Sequence, residues 1–393
     1  MEIHIVKSGE NLWRIAQIYG VSVNNIVSAN QVPDMDRLVV GQTLVIPTTE
    51  KLNQASPGTG LSLQGSTKPM VDVSAYLDPS ISGNQSGRAI DRVGRNLTYL
   101  AIFSYAANPN GTLTPVKDQI PITAAKRNRV SPLLVLTNYS GGQFSKDLAA
   151  SIFNNELLQE HLLEQALRVM EAKGYLGLDF DFEYLGKENR EGYVRFLQRA
   201  AAKVKPHGYF LSAAVAPKLS GDQRGGLYEG HDYPAIGQIV DFMFIMTYEW
   251  GWSGGEPMAV SPINLVRRVM EYAVSVVPKN KLMMGIPLYG YDWTLPNEPG
   301  KWARSISPQQ ALQRAIQYKV AIRYNKAVQA PWFRYADIQG KQHEVWFEDA
   351  RSIQAKFDLV KQLGIRGFYY WVLGHEFPQN WLLIDENFTV RKW

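Results

Sequence analysis

The chain contains no cysteine among its 393 residues. That excludes disulfide staples, thiolate metal sites and cysteine nucleophiles. It also lacks any run of the ~18 uninterrupted apolar residues that a membrane-spanning helix needs. The longest candidate, Ile239 to Tyr248, is broken by Asp241 and reads as a buried strand. At the start, Met1-Glu2-Ile3-His4-Ile5-Val6-Lys7 has no basic segment leading into an apolar run, so no signal peptide is read there. Charge of one sign is scarce as well. Against 36 Asp+Glu stand 41 Lys+Arg, a net +5 spread without a basic block, which argues against a nucleic-acid partner. No P-loop, no G-x-G-x-x-G and no H-E-x-x-H is present. Gly251-Trp252-Ser253-Gly254-Gly255 does fit G-x-S-x-G, but a nucleophile elbow needs a helix starting at once, and Glu256-Pro257 follows instead. These absences agree with a chemistry that needs neither a metal nor a cofactor, as the resemblance described below implies.

A hydrophobic share of 45% with 20% charged residues rules out wholesale disorder. The length suggests two domains, or one large domain with an appendage. Residues 1–48 form the first unit. His4–Lys7 reads as a short strand. Leu12, Ile15, Ala16 and Tyr19 follow helical spacing, with Gly20 as the stop. Ser22 can cap a second helix through Asn25, Ile26 and Ala29, and Leu38–Pro47 closes with a strand. The order is βααβ, with a core too small to be more than marginal alone. Residues 49–69, with Ser56-Pro57-Gly58-Thr59-Gly60 and Gly65-Ser66-Thr67-Lys68-Pro69, read as a flexible linker. Such a tether would raise the effective substrate concentration for its neighbour.

From 70 to 393, short apolar runs alternate with helical patterns. The runs are Met70–Ala75, Leu97–Phe103, Ser131–Thr137, Leu176–Glu183, Tyr209–Ala216, Ile239–Thr247, Lys281–Pro287 and Ile365–Trp371. Helical stretches include Leu157–Ala172, Tyr193–Lys205, Asn264–Val277 and Ala350–Leu363. Eight strands with helices between them predict an α/β fold, a (β/α)8 TIM barrel, over a doubly wound open sheet. The connection after strand seven is too long for a simple crossover. Residues from about 290 to 348 read as a small α+β insertion with its own helix at Pro308–Lys319, forming one wall of a cleft.

The segment Gly177-Leu178-Asp179-Phe180-Asp181-Phe182-Glu183-Tyr184 carries the chemistry. On a strand, alternate side chains share a face. Asp179, Asp181 and Glu183 therefore point one way and Leu178, Phe180 and Phe182 the other. On a half-buried strand the acids would simply face water. In a barrel they converge inward and repel one another, so at least one resists ionisation, as a general acid requires. Glu183, read as the last residue of the strand, would reach the C-terminal face where barrel enzymes work. Trp250, Trp252, Trp293, Trp302, Trp332, Trp346 and Trp371 lie at strand ends or in the insertion, where their ring faces can stack on a ligand or serve packing. Asn138, just after strand three, is a candidate for sugar hydroxyls or a turn residue.

Two resemblances follow from these motifs. Residues Val6–Ala16, Tyr19–Ser22, Asn30 and Gly41–Pro47 resemble a LysM module, a family that binds glycans containing N-acetylglucosamine, such as peptidoglycan and chitin. The resemblance implies a shallow groove and carries onto Gly9, Glu10, Asn11 and Asn30. The second domain resembles the family 18 glycoside hydrolases. Their strand-four motif D-G-x-D-x-D-x-E is matched by Leu176–Glu183, with Leu176 in place of the first Asp. Met246-Thr247-Tyr248-Glu249 is similar to the strand-six M-x-Y-D with Glu for Asp, and Gly285–Gly290 and Gly367–Gly374 are similar to strands seven and eight. The family uses the substrate's own acetamido group as nucleophile. The resemblance implies that Glu183 is the acid, that Asp181 orients the acetamido group, that Tyr248 hydrogen-bonds its oxygen and that Asp179 tunes Asp181. It places Trp371 at the sugar platform, with Met246, Glu249 and Trp250 beside it.

The pairing of the two domains, with Tyr248–Gly255, is similar to the spore cortex-lytic N-acetylglucosaminidases of endospore-forming bacteria. This implies a peptidoglycan partner and a spore (cortex or coat) or cell-wall location; the lack of long apolar runs argues against membrane insertion, and a monomer is the default. Chitin hydrolysis and a non-catalytic glycan-binding coat protein remain open alternatives.

Overall fold

The structure, a computed structural model, describes residues 1–32, 34–47, 68–375 and 377–393. Most of the linker read at 49–69 lies outside the described residues.

Eight parallel strands close into a barrel. In chain order they are Met70–Leu77, Tyr99–Ala106, Ser131–Thr137, Gly177–Asp181, Phe210–Val215, Phe242–Ile245, Leu282–Pro287 and Gly367–Trp371, and the eighth pairs with the first. The closing register sets Gly367 opposite Asp72. A Cβ on Gly367 would lie 1.8 Å from the Asp72 carbonyl oxygen, so only glycine lets the last strand seal the sheet. Outward residues such as Leu178, Phe180 and Phe182 pack with the surrounding helices in one large core, while Tyr76, Ala214, Phe244 and Tyr369 belong to a second, aromatic core inside the barrel. This is the alternation expected from period-2 patterning. Helices end where their sequences dictate. Asn155 caps Glu156–Lys173 and Gly174 stops it with φ 74°; Asp349 caps Ala350–Leu363 and Gly364 stops it with φ 62°. Among the described residues no helix is long and apolar enough to cross a membrane.

After strand seven the chain builds the expected insertion. It is a five-stranded antiparallel sheet (Gly290–Leu295, Arg304–Ile306, Arg323–Asn325, Ala330–Ala336, Gln342–Trp346) with the helix Pro308–Gln317. Trp293 and Trp346 are buried within it, and Trp332 stacks on Trp346 at 5.6 Å, so these three serve packing.

The N-terminal module has the strand Glu2–Ile5 paired antiparallel with Thr43–Ile46, and the helices Leu12–Tyr19 and Val23–Asn30 between them. It does not stand apart from the barrel. Val39 joins the core of the insertion, and Val45 joins the main barrel core. Gln379 on the helix Pro378–Asn387 donates to Asn30 Oδ1 (2.9 Å) and to the Thr43 carbonyl (2.7 Å). The Ile322 N–H donates to the Val40 carbonyl at 2.8 Å, and Gln309 donates to the Gln31 carbonyl at 2.9 Å. A module seated on both the barrel and the insertion replaces the freely tethered one expected from the linker's composition.

Candidate active site

The site grows from the end of the fourth strand. Asp179 is fully buried and accepts hydrogen bonds from Tyr76 OH (2.5 Å) and Ser212 Oγ (2.6 Å); Ser212 is its register partner on strand five. Burial pushes the Asp179 carboxyl up to about 6, and those two donors hold it from rising further. Asp181 lies one turn of the pleat nearer the opening, and its Oδ1 has no hydrogen-bond partner. Burial, then the charges of Glu183 and Asp179, raise its carboxyl well above the usual carboxylate range. Glu183 is pushed up to about 7, first by burial and then by the charge of Glu249. Three acids on one parity therefore meet inside the barrel as the alternation predicts.

One boundary differs from expectation. The strand stops at Asp181, in register with Thr137 on strand three, so Glu183 sits two residues past the ladder rather than at its end. Asn138 takes over where the ladder stops. Its Oδ1 accepts the Glu183 N–H at 3.0 Å, and its Nδ2 donates to the carbonyls of Glu183 (3.0 Å) and Ser145 (3.0 Å). Asn138 is completely buried, and both ends of its amide are engaged by backbone groups. It is a support for Glu183 and not the contact to sugar hydroxyls that its loop position suggested.

Tyr248 enters from beyond strand six, with its hydroxyl 3.2 Å from that of Tyr369 on strand eight. Gly285 on strand seven makes room: a Cβ there would lie 2.8 Å from the Tyr248 ring and 3.0 Å from Tyr369 OH. Glu249 Oε1 accepts from Tyr289 OH and from Tyr291 OH (2.9 Å), which bind it to the start of the insertion. Asp181, Glu183, Tyr248 and Glu249 share a cleft of about 710 Å³ with Met246, Trp250 and Trp371. Trp371 is half-buried, with Tyr76 5.5 Å and Phe103 5.1 Å from its ring. Trp252 also lines the cleft, and Trp302 stands 5.7 Å from it on the rim. A cleft of this size accommodates several sugar rings, with a polar floor and aromatic walls.

Sequence reading missed the supports. Tyr76 shares the inward parity of its strand, and Tyr289 and Tyr291 alternate, so parity could have flagged these three. His375, which also lines the cleft, and His231 carry no local signal.

In the N-terminal module, Gly9 and Asn11 stay exposed, although Asn11 Oδ1 caps its helix by accepting the Arg14 N–H at 2.9 Å. Glu10 is partly exposed and accepts from the Lys7 N–H (2.7 Å) and His4 Nε2 (2.9 Å). Asn30 is a correction. It is buried, with its amide bonded to Ile26, Val45 and Gln379, because the closing strand needs a partner there; no part of it faces a glycan.

With this geometry in place, comparison with known proteins is decisive. Residues 76–376 match the glycosyl hydrolases family 18, and residues 4–47 match the LysM domain. The chain belongs to family 18 of the glycosyl hydrolases. It is 42% identical to the "Cortical fragment-lytic enzyme" of Bacillus subtilis (strain 168), over 100% of this chain and 99% of that protein. Among solved structures it is similar to the spore cortex-lytic enzyme SleL of Bacillus megaterium QM B1551, with TM-score 0.92 and 40% identity, covering 100% of this chain and 99% of that one. The SleL structure from Bacillus cereus gives TM-score 0.93 at 40% identity, covering 100% and 98%. The chain is thus a family 18 glycosidase carrying a LysM domain.

Proposed function

We propose that this protein hydrolyses the glycan strand of spore cortex peptidoglycan at N-acetylglucosamine, with retention and with help from the substrate's acetamido group. The observation that carries this reading is the pairing of Asp181 and Glu183 with Tyr248 in one aromatic-walled cleft, each acid raised above its usual range. Glu183, at about 7, still holds its proton near neutrality and gives it to the glycosidic oxygen. The acetamido oxygen of the −1 sugar attacks the anomeric carbon as the bond to the leaving oxygen breaks, forming an oxazolinium ring. Asp181 and Glu183 titrate as a pair and share one proton, so while Glu183 holds it Asp181 carries the charge, accepts from the acetamido N–H through its free oxygen and stabilises the growing positive charge. Tyr248 donates to the acetamido oxygen, and its contact with Tyr369 fixes the hydroxyl's direction. Water then loses a proton to Glu183 and opens the ring, which restores the starting configuration. Asp179 sets the field felt by Asp181 and touches no substrate.

Similarity along the whole chain to proteins named for cortex lysis supports the polymer and a place at the spore or cell wall. The LysM domain supports a glycan partner, held at Gly9, Glu10 and Asn11. The test is a pair of substrates that differ only in the 2-substituent. A GlcNAc oligomer should be cleaved and its de-N-acetylated counterpart should not. Equal rates on both would sink the acetamido mechanism.

A further inference from the structure

The acid of the reaction described above lies outside the barrel's hydrogen-bonded ladder. Strand four ends at Asp181, and the backbone of Phe182 and Glu183 continues without a strand partner on either side. Two buried side chains supply what the ladder does not. From the strand-three side, Asn138 accepts the Glu183 N–H and donates to the Glu183 carbonyl, both at 3.0 Å. From the strand-five side, His231 Nε2 lies 2.9 Å from the Phe182 carbonyl, while its Nδ1 accepts the Ala216 N–H at 3.0 Å. Both residues are completely buried.

The proton positions follow from these partners. His231 Nδ1 faces an N–H and must accept, so Nε2 carries the proton and donates to Phe182. Burial pushes His231 down to about 4, so this neutral form persists across the working range. The Asn138 nitrogen faces two carbonyls and its oxygen faces an N–H, so one amide orientation alone satisfies all three. A carboxylate in this place would confront two carbonyl oxygens, and an aliphatic side chain would orphan three backbone groups.

We propose that Asn138 and His231 are positioning residues that clamp the backbone of Phe182 and Glu183 and so fix where the Glu183 carboxyl meets the glycosidic oxygen. This rests on the reading of Glu183 as the acid. A clamp of this kind matters because misplacing a reacting group by about 1 Å costs on the order of a hundredfold in rate. It also holds Glu183 at the cleft beside Asp181 on its own segment, Glu249 and Tyr248 from beyond strand six, and Tyr184 next to it.

The test uses the full chain carrying Asn138→Ala, assayed on a GlcNAc oligomer. The expected result is a roughly ten- to hundredfold loss of kcat with KM within about threefold, because the interaction acts on the acid's position more than on substrate binding. Asn138→Asp sets a carboxylate oxygen against the Glu183 and Ser145 carbonyls, so its loss of kcat should be at least as large. Asn138→Ser keeps one hydroxyl for the Glu183 backbone, should lose less, and stands in if the alanine variant does not fold. A second readout needs no turnover. The Glu183 carboxyl is titrated by ¹³C NMR, assigned by its absence in Glu183→Gln. In Asn138→Ala it should titrate at lower pH, as the segment loosens toward solvent. An unchanged kcat together with an unchanged Glu183 titration would overturn the clamp. If the unmodified protein cleaved no GlcNAc glycan at all, the reading of its function would fall, and the titration alone would still decide whether Asn138 holds Glu183.

Discussion

At the scale of single residues, the site separates three similar carboxyls by their surroundings. Asp179 is bound by Tyr76 and Ser212, Asp181 keeps a free oxygen, and Glu183 faces the cleft. Two predictions follow from their raised pKa values. First, kcat/KM should fall about tenfold per pH unit above about 7, where Glu183 loses its proton. Glu249→Gln removes a negative charge that raises Glu183, so this alkaline limb should move to lower pH; an unmoved limb would show that Glu249 does not act on it. Second, the folded state holds these protons more tightly than the unfolded chain does. The contribution of these two carboxyls to stability should therefore be full below about pH 4 and be lost as pH rises toward 7. Replacing the acid by an amide removes the penalty. Glu183→Gln should be more stable than the parent by about 1–3 kcal/mol at pH 8 and by almost nothing below pH 4, the figure being reduced because Glu183 is only half-buried. Denaturant melts at the two pH values check this.

At the scale of elements, the most legible feature was parity. Alternation alone places Asp179 and Asp181 inward and Phe180 outward, because a barrel strand has only two faces. The helix Ala350–Leu363 matches its sequence reading at both ends, and the structure shows why: Asp349 caps its start and Gly364 stops it. Boundaries set by neighbours were not legible. Ile239 looked like the start of strand six but ends the helix Tyr233–Ile239, and the strand begins at Phe242. Glu183 looked like strand because its alternation continues, yet strand three ends at Thr137 and leaves it no partner. Asn138 reads as a sugar contact or a turn residue because a polar loop residue and a buried backbone clamp look alike in sequence, and Asn30 came only with the LysM resemblance, which does not show that its amide is spent on Ile26, Val45 and Gln379. Gly285 shows how tightly strand seven is fitted to the site. Gly285→Ala would press on Tyr248 and Tyr369, so it should cost about 1–3 kcal/mol and lower kcat by displacing the Tyr248 hydroxyl. A normal kcat in this variant would contradict the role given to Tyr248.

At the scale of the whole molecule, composition and order gave the two domains and the inserted wall, but not how they sit together. The contacts of Gln379, Gln309, Ile322 and Val39 join residues far apart in sequence, and no local pattern announces them. They predict that the full chain unfolds in a single cooperative transition. A chain lacking residues 1–47 should melt at lower temperature, because it exposes Val39's apolar seat and leaves Gln379 without its partners. Two separate transitions in the full chain would contradict the docking. The fixed module also means that glycan bound at Gly9, Glu10 and Asn11 would lie at a set distance from the cleft, rather than within reach of a swinging tether.

The most direct test of the central claim is mass spectrometry of the products released from purified spore cortex, with chitin digested in parallel. The account predicts new reducing-end N-acetylglucosamine from cortex, absent with Glu183→Gln. Muramic acid at the new reducing ends, products from chitin alone, or no products from either polymer would contradict it.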